Sequence, residues 1–328
     1  METWWFPIIA MTDAEAKRDT NLASFFVILY HRILGEAIPI ARFTPHPGRG
    51  EIRNCNTATQ TKMSKYIEYR SQNIHYTDIG KGPVLVLLHG FTESLEIWNN
   101  FSAELSKSFR VICVDLPGHG RTANFSPVHT MEMMAETVQA VLSFCRIQQC
   151  VLLGHSMGGY VALAFANLFP EMLKGLILFH SQADADDEDA RRNRDRAIEI
   201  VKKDHSGFIN QFIPDLFAPA NRERLKQEID MLKNQAGSIS GKGLVAAMEG
   251  MKIRKGWRDL LSKLNIPVLF IAGKQDTRIP FSKVLEQIAL AKHAEALLLD
   301  EVGHMGYLEA PEITLGVIKD FAARPIGG

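Results

Sequence analysis

Only four cysteines occur in the 328 residues, Cys55, Cys113, Cys145 and Cys150, and their spacing fits neither a zinc site nor a disulfide framework. Cys113 and Cys150 fall inside apolar runs that read as buried strands, which points to reduced core side chains and a cytoplasmic protein. Charge of one sign is not in surplus either. Lys+Arg and Asp+Glu number 37 each, so no global field draws the chain to nucleic acid or to an anionic membrane. Long hydrophobic runs are missing as well: the apolar stretch at residues 22–34 is interrupted by His31 and Arg32 and is too short to span a bilayer. The opening Met1-Glu2-Thr3-Trp4-Trp5 lacks a basic region and no convincing cleavage site follows, so a secretory signal is not expected. No internal repeat stands out. What is left is an ordinary globular composition, 46% hydrophobic and 23% charged, long enough for one large core or a core with an insertion.

Residues 39–61 are rich in Pro, Gly, Thr and Asn, so residues 1–62 read as an extension or linker, expected to be poorly ordered. The folded core is expected to begin near Met63, a candidate natural start. From Lys65 the pattern becomes regular. Residues 66–70 and 74–77 alternate as an antiparallel opening pair would. Short apolar runs follow at 84–88, 111–114, 151–153, 176–179, 268–271 and 296–299, with helical patterns such as 131–144 between most of them. Continuous apolar strands alternating with helices predict a mostly parallel α/β sheet covered on both faces, with ligands beyond the carboxyl ends of its strands. The rhythm breaks over 183–255. An acidic run at 184–189 and a basic cluster at 191–196 read as solvated helix faces. Helical segments then carry Phe208, Phe212, Leu216, Phe217, Leu225, Ile229, Met248 and Met251, mostly as core, some facing a cleft. The expected organisation is a core of residues 63–182 and 256–328 with a helical cap, 183–255, inserted into it.

Four features converge on one end of that sheet. Gly154-His155-Ser156-Met157-Gly158 sits between the apolar run Cys150-Val151-Leu152-Leu153 and the Ala-spaced helix 159–166. Small residues two positions either side of Ser156 let strand and helix crowd together, which holds a serine in a strained turn with its hydroxyl exposed. A glycine-rich turn that merely packs a helix on a sheet is the plainer reading of the same residues. Leu88-His89-Gly90-Phe91-Thr92 follows another strand, where the N–H of Phe91 would face the serine and pair with the N–H of Met157 as an oxyanion hole. His89 reads as a brace for that loop. Asp276 lies just past a late strand in Gly273-Lys274-Gln275-Asp276, and His304 just past the last one in Gly303-His304. A serine hydroxyl is a poor nucleophile unless an imidazole takes its proton, and the imidazole needs a carboxylate to fix its tautomer.

Together with Asp115-Leu116-Pro117-Gly118-His119-Gly120, these motifs resemble the α/β-hydrolase fold superfamily in its capped, small-molecule branch, from Met63 to about Phe321. The resemblance implies Ser156 as nucleophile, Asp276 as acid and His304 as base, with Phe91 and Met157 supplying the oxyanion hole. Asp115 and His119 match a loop whose usual part is structural, leaving Asp115 as an alternative acid. Arg121 reads as solvated, and Trp98 is a candidate for the acyl side of a substrate pocket. The reading is a serine hydrolase of small carboxylic esters or lactones, working through an acyl-enzyme without metal or organic cofactor. The alternatives are a C–C bond hydrolase or menaquinone-pathway-type lyase on the same triad, or a ligand-binding receptor with vestigial hydrolysis. A small molecule is the expected partner, with no nucleic acid and no membrane; oligomeric state is not legible.

Overall fold

The computed structural model describes residues 64–324 and the backbone of Phe26–Ile28. The strands are β1 (Phe26–Ile28), β2 (Lys65–Tyr69), β3 (Gln72–Gly80), β4 (Val84–Leu88), β5 (Arg110–Val114), β6 (Cys150–His155), β7 (Leu173–Phe179), β8 (Val268–Gly273) and β9 (Ala294–Leu299). They form one sheet in the order β1-β9-β8-β7-β6-β4-β5-β3-β2. Neighbours from β5 to β9 run parallel, and β2 and β3 are antiparallel, joined by a turn in which Arg70 and Ser71 have φ of 52° and 59°. Two successive positive φ angles give the primed turn whose twist matches a hairpin. The extension expected at 1–62 lies outside the described residues except for β1, whose backbone pairs antiparallel with the outer edge of β9. That edge strand has no counterpart in the sequence reading.

Helices cover both faces: α1 (Asn99–Leu105), α2 (Met131–Phe144), α3 (Met157–Leu168), α4 (Glu188–Lys203), α5 (His205–Phe212), α6 (Lys226–Ser238), α7 (Gly241–Lys252), α8 (Arg258–Lys263), α9 (Phe281–Ile288), α10 (Gly306–Glu309) and α11 (Pro311–Ala323). β6 and β8 are buried along their whole length because both faces are covered, which is why they read as unbroken apolar runs. α2 starts where the Thr130 hydroxyl accepts the Met133 N–H at 3.1 Å, and its Met134, Val138, Val141 and Leu142 stripe is buried. Each such aliphatic side chain contributes about 1.5–3 kcal/mol by leaving water.

The inserted cap is built from α4 to α7, between β7 and β8. The charge runs are solvated only in part: α4 is capped by Asp187, opens on Glu188 and Asp189, closes on Lys202 and Lys203, and buries only Ile198 and Val201, whereas Asp186 of the acidic run is buried and Arg194 of the basic cluster turns inward to pair with it. Its two connections to the core are fastened to each other. The Trp257 N–H donates to the Ala183 carbonyl at 2.6 Å, and buried Arg254 pairs with buried Asp186 while its guanidinium lies 4.1 Å over the Tyr160 ring. A buried carboxylate is tolerated there because two guanidiniums, Arg254 and Arg194, face it.

The cap rests on the core where α7 crosses the loop after β5. The His129 N–H donates to the Ala246 carbonyl at 2.9 Å, and one turn on, a Cβ built on Gly250 would lie 1.7 Å from the His129 carbonyl oxygen. Backbone meets backbone at that crossing, so no side-chain adjustment relieves a clash. Gly250→Ala is therefore expected to push the cap off its seat at a cost of roughly 1–3 kcal/mol. Calorimetry should show Tm lower by several degrees; an unchanged Tm contradicts the crossing.

Candidate active site

β6 ends at His155 and α3 begins at Met157, leaving Ser156 alone in the turn with φ 49° and ψ −114°. That conformation costs a non-glycine residue about 1–3 kcal/mol and persists only where surroundings enforce it. The enforcement is close contact. A Cβ on Gly154 would lie 2.2 Å from the Gly158 carbonyl oxygen, and one on Gly158 would lie 2.7 Å from the carbonyl oxygens of Leu88 and His89. The Ser156 N–H donates to the Phe179 carbonyl at 2.9 Å and the Ser181 hydroxyl donates to the Ser156 carbonyl at 2.8 Å. As the first residue of α3, Met157 has an N–H without an intrahelical acceptor, at the positive end of the helix.

The next strands bring the acid and the imidazole to the same edge, since the parallel registers align His155 with Phe179, Phe179 with Ile271, and Gly273 with Leu299. His304 Nδ1 donates to Asp276 Oδ2 at 2.8 Å. The other Asp276 oxygen accepts the N–H groups of Arg278 and Ile279 at 2.7 and 3.0 Å. His180, at φ 46°, adds a further bond from Nδ1 to Asp276 Oδ2 at 3.2 Å. Burial opposes ionisation of Asp276, but its electrostatic interaction with the His304 imidazole and the hydrogen bonds from His180 and His304 outweigh it and hold its carboxyl well below the usual range. Burial keeps His180 neutral. The ligand atoms of His180, Asp276 and His304 lie within 4.8 Å of one another, a spacing a metal ion accepts, but here they bond to each other.

The loop after β4 is shaped by its own polar side chains. His89 Nδ1 donates to the Gly90 carbonyl at 2.8 Å, and its Nε2 accepts the Leu116 N–H at 3.0 Å. The neutral tautomer is thereby fixed, and the peptide that carries the Phe91 N–H is oriented. His89 is a brace, as its position suggested. A Cβ on Gly90 would meet Ser156 Cβ at 3.2 Å, so this loop runs directly beside the serine. Phe91 stands edge-on to Phe208 and Phe212 of α5 at centroid distances of 6.4 and 5.8 Å, which makes an aromatic wall under the cap.

Trp98 is a correction. It is fully buried beneath the elbow, packed against Phe101, His155, Phe179 and Tyr307. A tryptophan just before α1 faces the core because the first turn of that helix packs on the sheet. Asp115 is spent elsewhere: it accepts from His75, Leu95 and Arg121, so it does not serve His304. Arg121 is exposed and reaches Ser64. An open depression of about 740 Å³ lined by Asn124, Phe125, Val201, Lys242 and Val245 includes none of the residues at the strand ends. Four residues escaped the sequence reading: Glu93, His155, His180 and Glu309. Buried Glu309 accepts the N–H groups of Gly303, Met305 and Ala218 at 2.9–3.1 Å, tying the imidazole loop to the cap segment after α5. An acid within six residues of a loop glycine that follows an apolar strand is the signal that flags two of them, Glu93 after Gly90 and Glu309 after Gly303.

Two buried histidines set an acid limit. Burial pushes His119 down to about 3 and His129 down to about 4. The unfolded chain takes up these protons near pH 6.5, the folded chain only near 4 and 3, so stability present above pH 6.5 is lost as pH falls. A drop from 6.5 to about 4 corresponds to roughly 3 kcal/mol at most for His129. Thermal melts from pH 7 to pH 4 should show a continuous fall in Tm, lessened in His129→Gln; a flat profile contradicts neutral burial.

A family model described as alpha/beta hydrolase fold matches residues 83–311. A pimeloyl-(acyl-carrier protein) methyl ester esterase of Aeromonas hydrophila is 28% identical over 254 residues, 74% of this chain and 96% of its own length. A 2-hydroxy-6-oxononadienedioate/2-hydroxy-6-oxononatrienedioate hydrolase of Paraburkholderia phymatum is 26% identical over 291 residues, 82% of this chain and 98% of that one. Among solved structures, a thermophilic esterase from Thermogutta terrifontis with malate bound superposes with a TM-score of 0.74 and 30% identity, covering 78% of this chain and 97% of the other. The elbow at Ser156, the strand order and these matches agree: the chain belongs to the α/β-hydrolase fold family and is an enzyme of that family.

Proposed function

We propose that the protein is a serine hydrolase of small carboxylic esters or lactones, with Ser156, His304 and Asp276 as its triad. The observation that carries this reading is the 2.8 Å bond between His304 and Asp276 at strand ends adjoining a serine forced to φ 49°. Ser156 Oγ attacks the substrate carbonyl while His304 Nε2 takes its proton. Asp276 keeps Nδ1–H pointed inward and stabilises the imidazolium. The developing oxyanion is held by the N–H groups of Phe91 and Met157, each worth about 3–4 kcal/mol of barrier. His304 then protonates the leaving alkoxide, and water activated by the same imidazole clears the acyl group. The esterase relatives from Aeromonas hydrophila and Thermogutta terrifontis support ester cleavage, and the wall of Phe91, Phe208 and Phe212 suits a small apolar group beside the reacting carbonyl. No helix among the described residues is long and apolar enough to cross a membrane, and the burial of Cys113 and Cys150 in central strands supports a cytoplasmic setting.

One observation favours a second reading. The Arg278 guanidinium lies 4.6 Å over the Phe212 ring and makes no side-chain hydrogen bond among the described residues. This guanidinium is solvent-exposed and open to pairing with a carboxylate-bearing substrate, as a C–C bond hydrolase acting on an oxo-dicarboxylate requires, and the Paraburkholderia phymatum relative carries such a name.

A fluorophosphonate probe should place its adduct on Ser156 by mass spectrometry, alongside turnover of p-nitrophenyl acetate and butyrate. Ser156→Ala is expected to lower kcat about a thousandfold or more with Tm unchanged within a few degrees. Retained activity in that variant rules out the triad. Adduct without ester turnover, together with cleavage of a vinylogous diketone acid, selects the second reading.

A further inference from the structure

Beneath the elbow lies a pair of ionisable groups that the hydrolytic steps do not use. Glu93 and His155 are 2% and 1% exposed. Glu93 Oε2 accepts the Gly90 N–H at 2.5 Å and the His155 Nδ1–H at 3.0 Å, and Oε1 accepts the Tyr307 hydroxyl at 3.0 Å. On its other side, His155 Nε2 donates to the His304 carbonyl at 2.9 Å. One imidazole thus faces a carboxylate with Nδ1 and a peptide carbonyl with Nε2. An ionised carboxylate and a carbonyl only accept, so both nitrogens carry hydrogen and the ring is cationic. The surroundings agree. Burial opposes both charges, but Glu93 draws the His155 imidazole upward in affinity for its proton, and His155 with the Gly90 N–H keeps the Glu93 carboxyl ionised. Burial also keeps the Tyr307 phenol protonated, so it too is a donor to Glu93.

Each end of this pair grips a different piece of the site. Gly90 is one residue from the Phe91 amide of the oxyanion loop. His155 is one residue from Ser156. The carbonyl held by His155 belongs to His304 itself, and Tyr307 lies on the turn that follows it. We propose that Glu93 and His155 form a buried ion pair that acts as a positioning device, locking the oxyanion loop and the imidazole loop in register around Ser156. The inference rests on the hydrolase reading for its kinetic part, but the charge state it assigns to His155 does not.

Buried ion pairs are seldom net stabilising compared with apolar packing of the same volume, so stability alone does not account for one at this place. Registration does. A displacement of about 1 Å among reacting groups can cost about a hundredfold in rate. The shared carboxylate ties two loops that are joined to each other by no strand.

The test uses the full chain. Long-range 15N–1H spectra should show one imidazole doubly protonated from pH 5 to pH 8.5, assigned to His155 by its absence in His155→Gln. In Glu93→Gln this ring should become a single neutral tautomer. For p-nitrophenyl butyrate, measured well below each variant's Tm, Glu93→Gln should lower kcat about 10- to 100-fold with KM within about threefold. The rate of fluorophosphonate labelling should fall in parallel. A neutral His155 in the unaltered protein overturns the ion pair, whatever the activity. A kcat within about twofold in a variant whose His155 has lost its charge overturns the positioning role and leaves a core polar contact. Where Glu93→Gln fails to fold, Tyr307→Phe removes one donor to Glu93 at constant volume and should give a smaller fall in kcat at unchanged KM. Labelling that is absent in the unaltered protein fails the hydrolase reading, and the spectra still decide the charge.

Discussion

A non-glycine residue in a left-handed conformation between a parallel strand and a helix persists only if the chain on both sides leaves it no alternative. At Ser156 the alternative is removed by the approach of β6 to α3, where Gly154 meets the Gly158 carbonyl with no room for a methyl group. The remaining architecture serves that approach. β6 lies near the middle of the sheet, flanked by β4 and β7, so the turn is supported by buried strands on either side. The serine, the loop after β4 and the loop after β7 therefore share one small region. Thr92 and His180, like Ser156, have positive φ, so three strained residues meet in that region.

The imidazole loop is fixed by a different means. His304 follows the last strand and belongs to no regular element, so hydrogen bonds must do what helix or sheet does elsewhere. Its N–H donates to the Leu216 carbonyl at 2.7 Å, its carbonyl accepts from His155, and its Nδ1 donates to Asp276. Glu309 then takes the amides on both sides of it. Three carboxylates, Glu93, Asp276 and Glu309, are buried around one histidine, and each is surrounded by donors. Low-dielectric burial makes each bond expensive to break, which suits the proposed role of this imidazole as a base that must not drift.

Most of the architecture could be read from the chain because its signals are local. The α2 boundaries at Met131 and Phe144 follow from a threonine cap and an apolar stripe, and the strand cores follow from runs of Val, Ile and Leu. The motifs around Ser156, Asp276 and His304 were legible because strained turns need particular small residues beside particular polar ones. Side-chain partnerships across long separations were not. Glu93 meets His155 62 positions away and Tyr307 214 positions away, and no spacing rule links them. Trp98 misled for the same reason: an aromatic near a functional loop can face the cleft or the core, and only packing decides. The edge strand β1 was equally hidden, because three residues carry too little pattern to stand out.

Glu309 joins the cap segment at Ala218 and Asn221 to the amides at Gly303 and Met305. In design terms, the inserted helices and the loop that carries His304 are therefore not separable modules. Grafting a foreign cap onto this core would strip two donors from a carboxylate wedged beside the imidazole, and the recipient would be impaired in chemistry before its new selectivity could be judged. Successful exchange of such inserts would have to carry the residues facing Glu309 along with the roof itself.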